Sequence, residues 1–449
     1  MKRPNIVFYF ADQQRWDTLG CYGQKLDVTP NLDKLAAQGV RFENAFTCQP
    51  VCGPARACLQ SGRYPTQIGC HRNAQALPEN ITTLADCFSQ AGYETAYVGK
   101  WHLASNRSSY TAPVDQENYE TRAVPEERRG GYKDFWMAAD VLEATSHGYD
   151  GYVFDKEGRK REFIGYRADA VNNFAIHYLH QYSGEKPFFL FISQIEPHHQ
   201  NDHGRFEGPD GSKERFKDFC PPPDMKEGQG DWAQNYPDYL GQCHSLDENV
   251  GRLVDTLKDR GLWDNTILFY TSDHGCHFCT RNQEYKRSCH ESSIHIPLIV
   301  RGGDFAGGQV LSELVSLIDL PATLLDCAGI PKPKEFQGKS LKGLVTKKEE
   351  NWDDCVFIQI SESEIGRAIR TRKWKYSVAA KEDPWEYPGA QVYEEKYLYD
   401  LEEDPWEQHN LAADSRYEEV RKKLREKLLD CMEQAGEERP EIRAKEKSQ

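Results

Sequence analysis

The sequence lacks any long apolar run. No stretch approaches the ~18 apolar residues that a transmembrane helix needs, which predicts that the protein has no membrane span. The apolar stretch Ile6–Ala11 is short and is followed at once by Asp12, which is not the pattern of a secretion signal. We expect a cytoplasmic protein as the chain stands, or a periplasmic or secreted one if a leader has been removed.

The sequence also lacks an excess of positive charge. Lys and Arg together number 56, whereas Asp and Glu number 71, so the net charge is −15. This balance argues against non-specific binding to nucleic acid or to an anionic membrane surface. A small anionic ligand remains compatible with it, because a local cluster of cations can outweigh a distant acidic surface. We predict no nucleic-acid partner.

A regular cysteine framework is absent as well. The 14 cysteines are spread thinly along the chain, without the spacing of a disulfide scaffold, and this predicts reduced thiols. The segment CHFC at 276–279 has the CxxC spacing found in zinc sites, but no second well-spaced pair accompanies it. A packed loop is therefore favoured over a zinc site.

The sequence does contain a repeated alternation of strand-like and helix-like segments. Short apolar runs at 5–12, 187–193 and 266–273 alternate with amphipathic helical patterns such as 29–39 and 168–182. Strands that alternate with helices of this length predict an α/β fold, with a parallel or mixed sheet and helices on both faces. Hydrophobic residues make up 38% of the chain, which is enough for a sizeable core.

Two structural units are expected. An N-terminal α/β domain over 1–350 precedes a smaller α+β subdomain over 351–449, where short strands are followed by a charged helix. The stretches 105–165 and 200–237 are irregular and weakly periodic, which predicts insertions in the first domain. Long loops in compact α/β proteins usually form lids or binding walls.

Four of the predicted strands end in polar, reactive side chains. The pairs at these ends are Asp12 with Gln13, Lys100 with His102, His198 with His199, and Asp273 with His274. Each residue alone has a structural explanation, such as helix capping for Asp12 or solvation for Lys100. Ligands of open α/β sheets bind beyond the carboxyl ends of the strands. The joint occurrence therefore predicts one shared site.

The donor atoms at these strand ends indicate a metal. Carboxylate and amide oxygens together with an imidazole favour a hard divalent cation, Ca²⁺ or Mg²⁺, over softer metals. The predicted ligands are Asp12, Gln13, Asp273 and His274.

The segment CQPVCGPARACLQSGRYP, residues 48–65, combines three cysteines, three prolines and two arginines. A buried structural segment has no use for this mixture, whereas a reactive nucleophile that faces an anion does. Lys286, in EYKRSCHESSIHIP, is either part of a charged loop or a second lysine that reaches the same anion as Lys100.

These blocks resemble the type I sulfatases of the alkaline phosphatase superfamily. CGPAR followed by ACLQSGRYP is similar to the family's maturation signature, Cys-x-Pro-x-Arg with a downstream Ser-Gly-Arg. PNIVFYFADQQRWDTLGCYG, YVGKWHL, TSDHG and LYDLEEDPWEQHNLA are similar to further blocks, in the family's order, over nearly the whole chain. The resemblance implies an alkaline-phosphatase-like fold, a large mixed sheet flanked by helices, and hydrolysis of sulfate esters.

The resemblance also implies a modified nucleophile. The motif cysteine, here Cys52, is oxidised after translation to formylglycine, so a formylglycine-generating enzyme or an anaerobic maturation enzyme is an implied partner. The aldehyde hydrates, one hydroxyl activated by the metal and Asp273 attacks sulfur, and sulfate is eliminated as the aldehyde re-forms. Cys52 thereby joins the metal ligands, and Ca²⁺, with Mg²⁺ as the alternative, is the implied ion.

The remaining roles follow from the same resemblance. Arg56, Lys100 and Lys286 would neutralise charge on the sulfuryl oxygens. His102 would be the base for the elimination step. His198 would be the acid that protonates the leaving oxygen, with His199 as a less favoured substitute.

Two positions depart from the commonest family pattern. Gln13 stands where a second acid is usual, and His274 stands where asparagine is frequent. Both residues occur in branches that include phosphonate and phosphodiester hydrolases. A phosphonate monoester or phosphodiester hydrolase and an arylsulfatase therefore remain alternatives, as does an inactive glycan-binding relative, which would not need Cys52 in its maturation motif.

The predicted insertions carry side chains that stack on and hydrogen-bond to sugars, which favours a sulfated carbohydrate over a simple aryl sulfate. The segment HHQNDHGR at 198–205 is expected to line the leaving-group pocket. The candidate substrate-binding residues are His199, Arg281, Asn282, His290 and Glu291.

Overall fold

A computed structural model describes residues 3–106, 118–349 and 351–444 of the chain. Its described strands form two separate sheets. The strands of the large sheet are β1 Asn5–Ala11, β2 Val40–Phe46, β3 Glu94–Lys100, β4 Phe135–Ala139, β5 Asp150–Asp155, β6 Lys160–Ile164, β7 Phe188–Ser193, β8 Thr266–Ser272, β9 His295–Ile296, β10 Leu298–Arg301 and β11 Gln309–Ser316. The strands of the small sheet are β12 Cys355–Ile360, β13 Gly366–Thr371, β14 Trp374–Ala379, β15 Val392–Asp400 and β16 Glu441–Arg443.

Helices of very different length accompany these strands. They are α1 Pro30–Gln38, α2 Cys52–Ser61, α3 Leu84–Gln90, α4 Leu142–Thr145, α5 Arg167–Gln181, α6 Ser212–Arg215, α7 Trp232–Asp259, α8 Glu291–Ile294, α9 Asp319–Cys327, α10 Lys342–Val345 and α11 Glu418–Gln434. Within the described residues, no helix is both long and apolar enough to cross a membrane.

The large sheet is mixed, as expected from the sequence. Its strand order is β11-β2-β10-β8-β1-β7-β3-β4-β5-β6, with β9 paired to β2 at the side. The central strands β8, β1, β7, β3 and β4 run parallel, whereas β10, β5 and β6 pair in antiparallel fashion with their neighbours. The parallel strands therefore all end at the same edge of the sheet.

Helices cover both faces of this sheet. Along β1, Ile6 and Phe8 point into one apolar cluster, which contains residues of α2, α3 and α9. Val7 and Tyr9 point into the opposite cluster, which contains residues of α1, α5 and α7. A strand that is buried on both faces needs a continuous apolar run, and this explains why 5–11 shows no polar alternation.

The stretch 105–165 differs from the irregular insertion expected there. Residues 135–164 provide β4, β5 and β6, which extend the large sheet to its edge. Residues 107–117, also part of that prediction, lie outside the described residues. The weak periodicity has a physical reason, because β6 is an edge strand that exposes most of its side chains and so carries little apolar pattern.

The second predicted insertion is shorter than expected. Residues 200–231 are largely irregular and contain only the single turn of α6, but α7 already begins at Trp232, inside the stretch expected to be irregular. Pro237 lies inside this helix and obscured its start in the sequence. The first turns bury Tyr236 and Tyr239, so tertiary packing outweighs the unfavourable proline.

The C-terminal subdomain forms as predicted, from the five-stranded sheet and α11. Leu424, Leu428 and Met432 of α11 pack on the sheet. The other side of β12, including Val356 and Ile358, packs against the large domain. This second contact holds the subdomain beside the carboxyl ends of the central strands.

Candidate active site

The four predicted strand ends do converge. Strands β8, β1, β7 and β3 are consecutive neighbours in the sheet and run parallel. Their carboxyl ends are followed by the residues singled out from the sequence. These are Asp273 and His274 after β8, Asp12 and Gln13 after β1, His198 and His199 after β7, and Lys100 and His102 at the end of β3.

Cys52 lies at the first position of α2, with its thiol in the middle of this group. Its Sγ is 3.3 Å from Asp12 Oδ1, 3.2 Å from His274 Nε2 and 2.8 Å from Lys286 Nζ. The N-terminal end of a helix favours negative charge close by. Burial nevertheless raises the pKa of the thiol to about 12, with Asp12 adding to the shift. The unmodified side chain is thus a neutral thiol at physiological pH.

Four buried side chains are arranged so that they can hold a cation. Each contributes one ligand atom, and these atoms all lie within 4.8 Å of one another; the residues are Asp12, Cys52, Asp273 and His274. His274 Nδ1 lies 2.9 Å from the Gly275 carbonyl, which accepts a hydrogen bond from Nδ1–H, so the lone pair on Nε2 faces the cluster. Asp273 Oδ2 is buried without a hydrogen-bond partner. Its nearest cation in the protein is Arg56, whose Nη2 lies 3.6 Å away. A carboxylate oxygen that lacks a hydrogen bond and lies beside a second carboxylate fits a bound divalent cation.

The two carboxylates of the cluster differ in their proton affinity. Burial, followed by repulsion from Asp12, raises the pKa of Asp273 to about 7. Burial also acts to raise the pKa of Asp12, but Lys100 and other nearby cations overcome it and hold that pKa well below its usual value. In the metal-free protein Asp12 therefore stays ionised, whereas Asp273 readily takes up a proton.

Gln13 has a different environment from the one expected of a metal ligand. Its side-chain oxygen accepts a hydrogen bond from Lys286 Nζ at 3.3 Å. Its backbone N–H donates to Asp273 Oδ1 at 2.9 Å, and the residue takes a left-handed backbone angle, φ 73°. Gln13 thus orients Asp273 and Lys286, and its role as a ligand stays a prediction.

Two fixed cations hold Asp12 in place. Arg56 Nη2 is 3.0 Å and Lys100 Nζ 2.9 Å from Asp12 Oδ2. Lys100 also forms an ion pair with Glu143 at 3.1 Å. All of these groups are buried, so each charge needs its partner to offset its desolvation. Sequence reasoning missed Glu143, because no motif marks it.

Lys286 connects the nucleophile to the predicted acid. Its Nζ lies 3.1 Å from His198 Nε2, while His198 Nδ1 is 2.5 Å from the His199 carbonyl. Burial and the charge of Lys286 lower the pKa of His198 well below its usual value. In the free protein His198 is therefore neutral and accepts a hydrogen bond from Lys286.

His102 is held by a turn that Asp140 stabilises. The Asp140 carboxylate accepts hydrogen bonds from the N–H groups of Leu103, Ala104 and Ser105, at 2.9–3.0 Å. His102 itself has φ 60°, and its Nδ1 is buried without a partner. Burial and the charge of Lys100 lower its pKa to about 3. In the free protein the imidazole is therefore neutral, and its Nδ1 forms no hydrogen bond with another part of the protein.

A cavity of about 420 Å³ opens above Cys52. Four further predicted residues line it, namely His102, His198, His199 and Lys286. Asn201, from the 198–205 segment that was expected to line the pocket, also lies in the lining. The lining further includes polar and aromatic residues that sequence reasoning missed, among them Arg72, Asn73, Glu143, Tyr285, Arg287, Glu362 and Trp385. Glu362 and Trp385 come from the C-terminal subdomain, so both units of the protein form this cavity.

Four predicted substrate-binding residues lie elsewhere, which corrects the prediction. Arg281 donates to the carbonyls of Trp406 and Glu407 at 2.6 and 2.8 Å. The side-chain amide of Asn282 is hydrogen-bonded within its own loop.

The other two of these residues are buried against the C-terminal subdomain. His290 Nε2 is 3.1 Å from the Tyr399 hydroxyl, and Glu291 pairs with Lys375 at 2.8 Å. With Arg281, they hold the subdomain on the large domain, and their polar groups are already engaged by the protein.

The cysteines outside the site agree with the sequence prediction. All 14 lie in described parts of the chain and are free thiols. Cys276 packs in an apolar cluster with Phe278, and its Sγ accepts a hydrogen bond from Gln13. The candidate metal-binding groups of the described residues include neither Cys276 nor Cys279.

Comparison with known proteins gives the family. A family model described as Sulfatase matches residues 4–330, and one described as N-sulphoglucosamine sulphohydrolase, C-terminal, matches residues 283–434. An uncharacterized sulfatase, YidJ of Escherichia coli (strain K12), is 31% identical over 96% of this chain and 88% of its own length. The N-acetylglucosamine-6-O-sulfatase of Bacteroides thetaiotaomicron is 26% identical over 98% of this chain and 88% of its own length.

Solved structures show the same architecture. A Bacteroides thetaiotaomicron protein from a study of the metabolism of multiple glycosaminoglycans superposes with a TM-score of 0.84 at 22% identity, over 97% of both chains. The phosphonate monoester hydrolase of Agrobacterium radiobacter gives a TM-score of 0.74 at 23% identity, over 96% of both chains. The fold is therefore alkaline-phosphatase-like, and the chain belongs to the sulfatase family, as a sulfuric ester hydrolase.

Proposed function

We propose that the protein removes sulfate from a carbohydrate, with the sugar in the 420 Å³ cavity above Cys52. The observation that carries this proposal is the cavity's lining, which places aromatic and hydrogen-bonding side chains directly above a cationic anion site. Pockets for small ligands typically measure roughly 300–1,000 Å³ and orient the ligand through a few polar groups. Among the relatives, an N-acetylglucosamine-6-O-sulfatase and an ulvan-active sulfatase are named for carbohydrate substrates.

The anionic end of the substrate would bind next to Cys52. When present, a bound Ca²⁺ or Mg²⁺ would polarise the sulfuryl group, and formylglycine made from Cys52 would supply the nucleophile. Lys286 Nζ lies 2.8 Å from Cys52 Sγ, so its ammonium group is placed to neutralise charge on the sulfuryl oxygens. Arg56 acts beside it by keeping Asp12 ionised.

Two histidines would move protons. His102 lines the cavity and is neutral in the free protein, so we assign it as the base, and the negative charge of a bound sulfate ester would raise its lowered pKa. His198 faces the cavity through Nε2, beside Lys286. The negative charge of a bound sulfate ester offsets that of Lys286, which raises the pKa of His198 and lets it carry the proton needed by the leaving oxygen.

The role of His198 predicts a dependence on the leaving group. His198→Gln is expected to lower kcat for a sulfated saccharide by about 10²–10⁴-fold, because an alkoxide leaves poorly without a proton. On 4-nitrophenyl sulfate, whose leaving group needs no proton, the loss is expected to stay below about tenfold. The measurement is kcat for both substrates with each variant.

His199→Gln provides the matched control, because His199 lines the same cavity and stacks on His198, with ring centroids 4.4 Å apart. This variant is expected to affect both substrates by the same factor. An equal loss on both substrates in His198→Gln would refute its assignment as the acid.

Trp385 is proposed to stack on a sugar ring at the mouth of the cavity. It is 45% exposed although it is large and apolar, and the guanidinium of Arg72 lies 5.9 Å from its ring centre. Trp385→Ala is expected to raise KM for a sulfated saccharide by about 2–10-fold, the equivalent of a lost aromatic contact, and to leave KM for 4-nitrophenyl sulfate unchanged. Tyr387→Ala is the control, since Tyr387 is similarly exposed but does not line the cavity.

The substrate class is tested by sulfate release from a panel of sulfated mono- and disaccharides. Turnover of aryl sulfates with no saccharide cleaved would favour the arylsulfatase alternative. The alternative of a phosphonate monoester or phosphodiester hydrolase is tested with matched sulfate and phosphonate monoesters that have the same leaving group. A faster reaction of the phosphonate would overturn the sulfatase assignment of this site. The glutamine at position 13 is the reason to consider a phosphonate or phosphodiester hydrolase, because it leaves the cation site with one fewer negative charge than two adjacent acids would give.

Maturation of Cys52 by a formylglycine-generating or anaerobic maturation enzyme is part of the proposal. The mass of the peptide that contains Cys52 tests this step. Conversion lowers this mass by the difference between a thiol and an aldehyde. Detection of formylglycine would also argue against the alternative that the protein is an inactive glycan-binding relative.

A further inference from the structure

A second group of metal-ligating side chains lies outside the active site. His147 follows α4, and Asp202 and His203 belong to the loop that leaves the active site after His199. One ligand atom from each lies within 4.8 Å of the others. The three side chains are between 40% and 52% exposed, so an ion in solution can reach them.

The two imidazoles approach the same carboxylate oxygen. His147 Nε2 is 2.9 Å and His203 Nε2 is 4.0 Å from Asp202 Oδ2. The rings are stacked, with centroids 4.6 Å apart and an interplanar angle of 8°. A single hydrogen bond explains the approach of His147 to Asp202. It does not explain why a second imidazole nitrogen faces that oxygen from beyond hydrogen-bonding distance.

Neighbouring groups orient these ligands. His203 Nδ1 is 2.5 Å from Glu207 Oε1, which accepts a hydrogen bond from Nδ1–H, so the lone pair of the ring is on Nε2. Gln200 Nε2 donates to Asp202 Oδ1 at 2.8 Å, so that Oδ2 is the oxygen left for the histidines. Metal-binding histidines usually donate their other ring N–H to a carboxylate or another acceptor. Metal-binding carboxylates usually accept a hydrogen bond as well.

We propose that His147, Asp202 and His203 bind a divalent transition metal of the Zn²⁺ type, with water completing the coordination. Two imidazoles and one carboxylate suit Zn²⁺ better than the hard cations expected at the active site. Bound metal would fasten the 199–207 loop to the turn at 147–150. Asn201 and His199, in or next to that loop, line the cavity, so the ion would stiffen one wall of the active site.

Isothermal titration of the calcium-saturated protein with ZnCl₂ tests this site. One equivalent is expected to bind, and affinity is expected to fall by at least about tenfold in His147→Ala and in His203→Ala, since each removes a ligand. Glu207→Gln is expected to weaken binding by about 10–100-fold without removing a ligand. Hydrogen exchange of the 199–207 amides is a second readout, and zinc is expected to slow it in the parent protein only.

His409→Ala is the matched control, because His409 is exposed beside Asp404, at 3.6 Å, without a second imidazole. This variant is expected to bind zinc like the parent protein. The proposal is overturned if no zinc binds. It is equally overturned if zinc binding survives in the His147→Ala/His203→Ala double variant, because the ion then occupies another site, such as the cluster around Asp273.

Discussion

Cys52→Ala is expected to abolish sulfate-ester hydrolysis, with kcat/KM lowered by about four orders of magnitude or more. Losses of this size follow when the nucleophile of a covalent mechanism is removed. The thiol position is surrounded by Asp12, His274 and Lys286 at 2.8–3.3 Å, and none of these groups can replace the missing atom. The measurement is sulfate release under single-turnover and steady-state conditions.

Cys58→Ala is the matched control for this result. Cys58 lies six residues further along α2, and it is buried against Cys48 and Ile318 instead of the cavity. Its replacement is expected to lower the free energy of unfolding by ~1 kcal/mol through lost packing and to leave kcat/KM within about threefold, because the groups at the nucleophile are untouched. Substantial turnover by Cys52→Ala would refute Cys52 as the precursor of the nucleophile.

Asp273→Asn is expected to lower kcat/KM by about a thousandfold and to remove the effect of calcium on stability. Losing a group that stabilises charge in the transition state has a cost of this order. The asparagine oxygen can still accept the N–H groups of Gln13 and His274, as Asp273 Oδ1 does at 2.9 Å. Its NH₂ group, however, replaces Oδ2, which has no hydrogen bond, and presents a donor where a cation needs an acceptor.

Thermal unfolding with calcium and with chelator gives the second readout. A ligand at 100 times its Kd stabilises the folded state by about 2.7 kcal/mol, and Asp273→Asn is expected to show no such gain. Without metal, the effect of Asp273→Asn on stability is expected to have the opposite sign. The pKa of Asp273 is raised to about 7, so its ionisation destabilises the folded protein as pH rises through that value. Metal-free Asp273→Asn is therefore expected to be at least as stable as the parent at pH 8.

Asp247→Asn is the control for this second result. Asp247 is also buried, and it accepts hydrogen bonds from the first N–H groups of α1, those of Asn31 and Leu32. This variant is expected to lose ~1 kcal/mol of stability through weakened capping and to keep the full calcium effect. A calcium-dependent rise in Tm in Asp273→Asn equal to that of the parent would remove Asp273 from the cation site.

Strand ends explain how much of the site could be predicted from sequence. Asp12, Lys100, His198 and Asp273 all follow apolar runs, and parallel neighbours must end at one edge of a sheet. The structure brings all four together. The motif at 52–56 added the nucleophile and Arg56 from local sequence alone. For these residues, the place in the sequence, at the end of a strand or inside the motif, was enough to predict that they lie in the site.

Other residues could not be placed in this way. Glu143, Glu362 and Trp385 carry no motif, and they reach the cavity only because the edge of the large sheet and the C-terminal subdomain pack beside it. Arg281 and Glu291 lie close to Lys286 in sequence and have suitable chemistry. Their hydrogen bonds and ion pairs, however, are used at the domain interface.

The sequence by itself determined the α/β class, the family and the strand-end residues, and it supplied Cys52 as the proposed precursor of the nucleophile, because periodicity and short motifs are local properties of the chain. The tertiary structure alone decided which polar side chains face the cavity and which are paired inside the protein. A charged or polar group can bind a substrate only if no other part of the chain has already satisfied it, and long-range packing decides this.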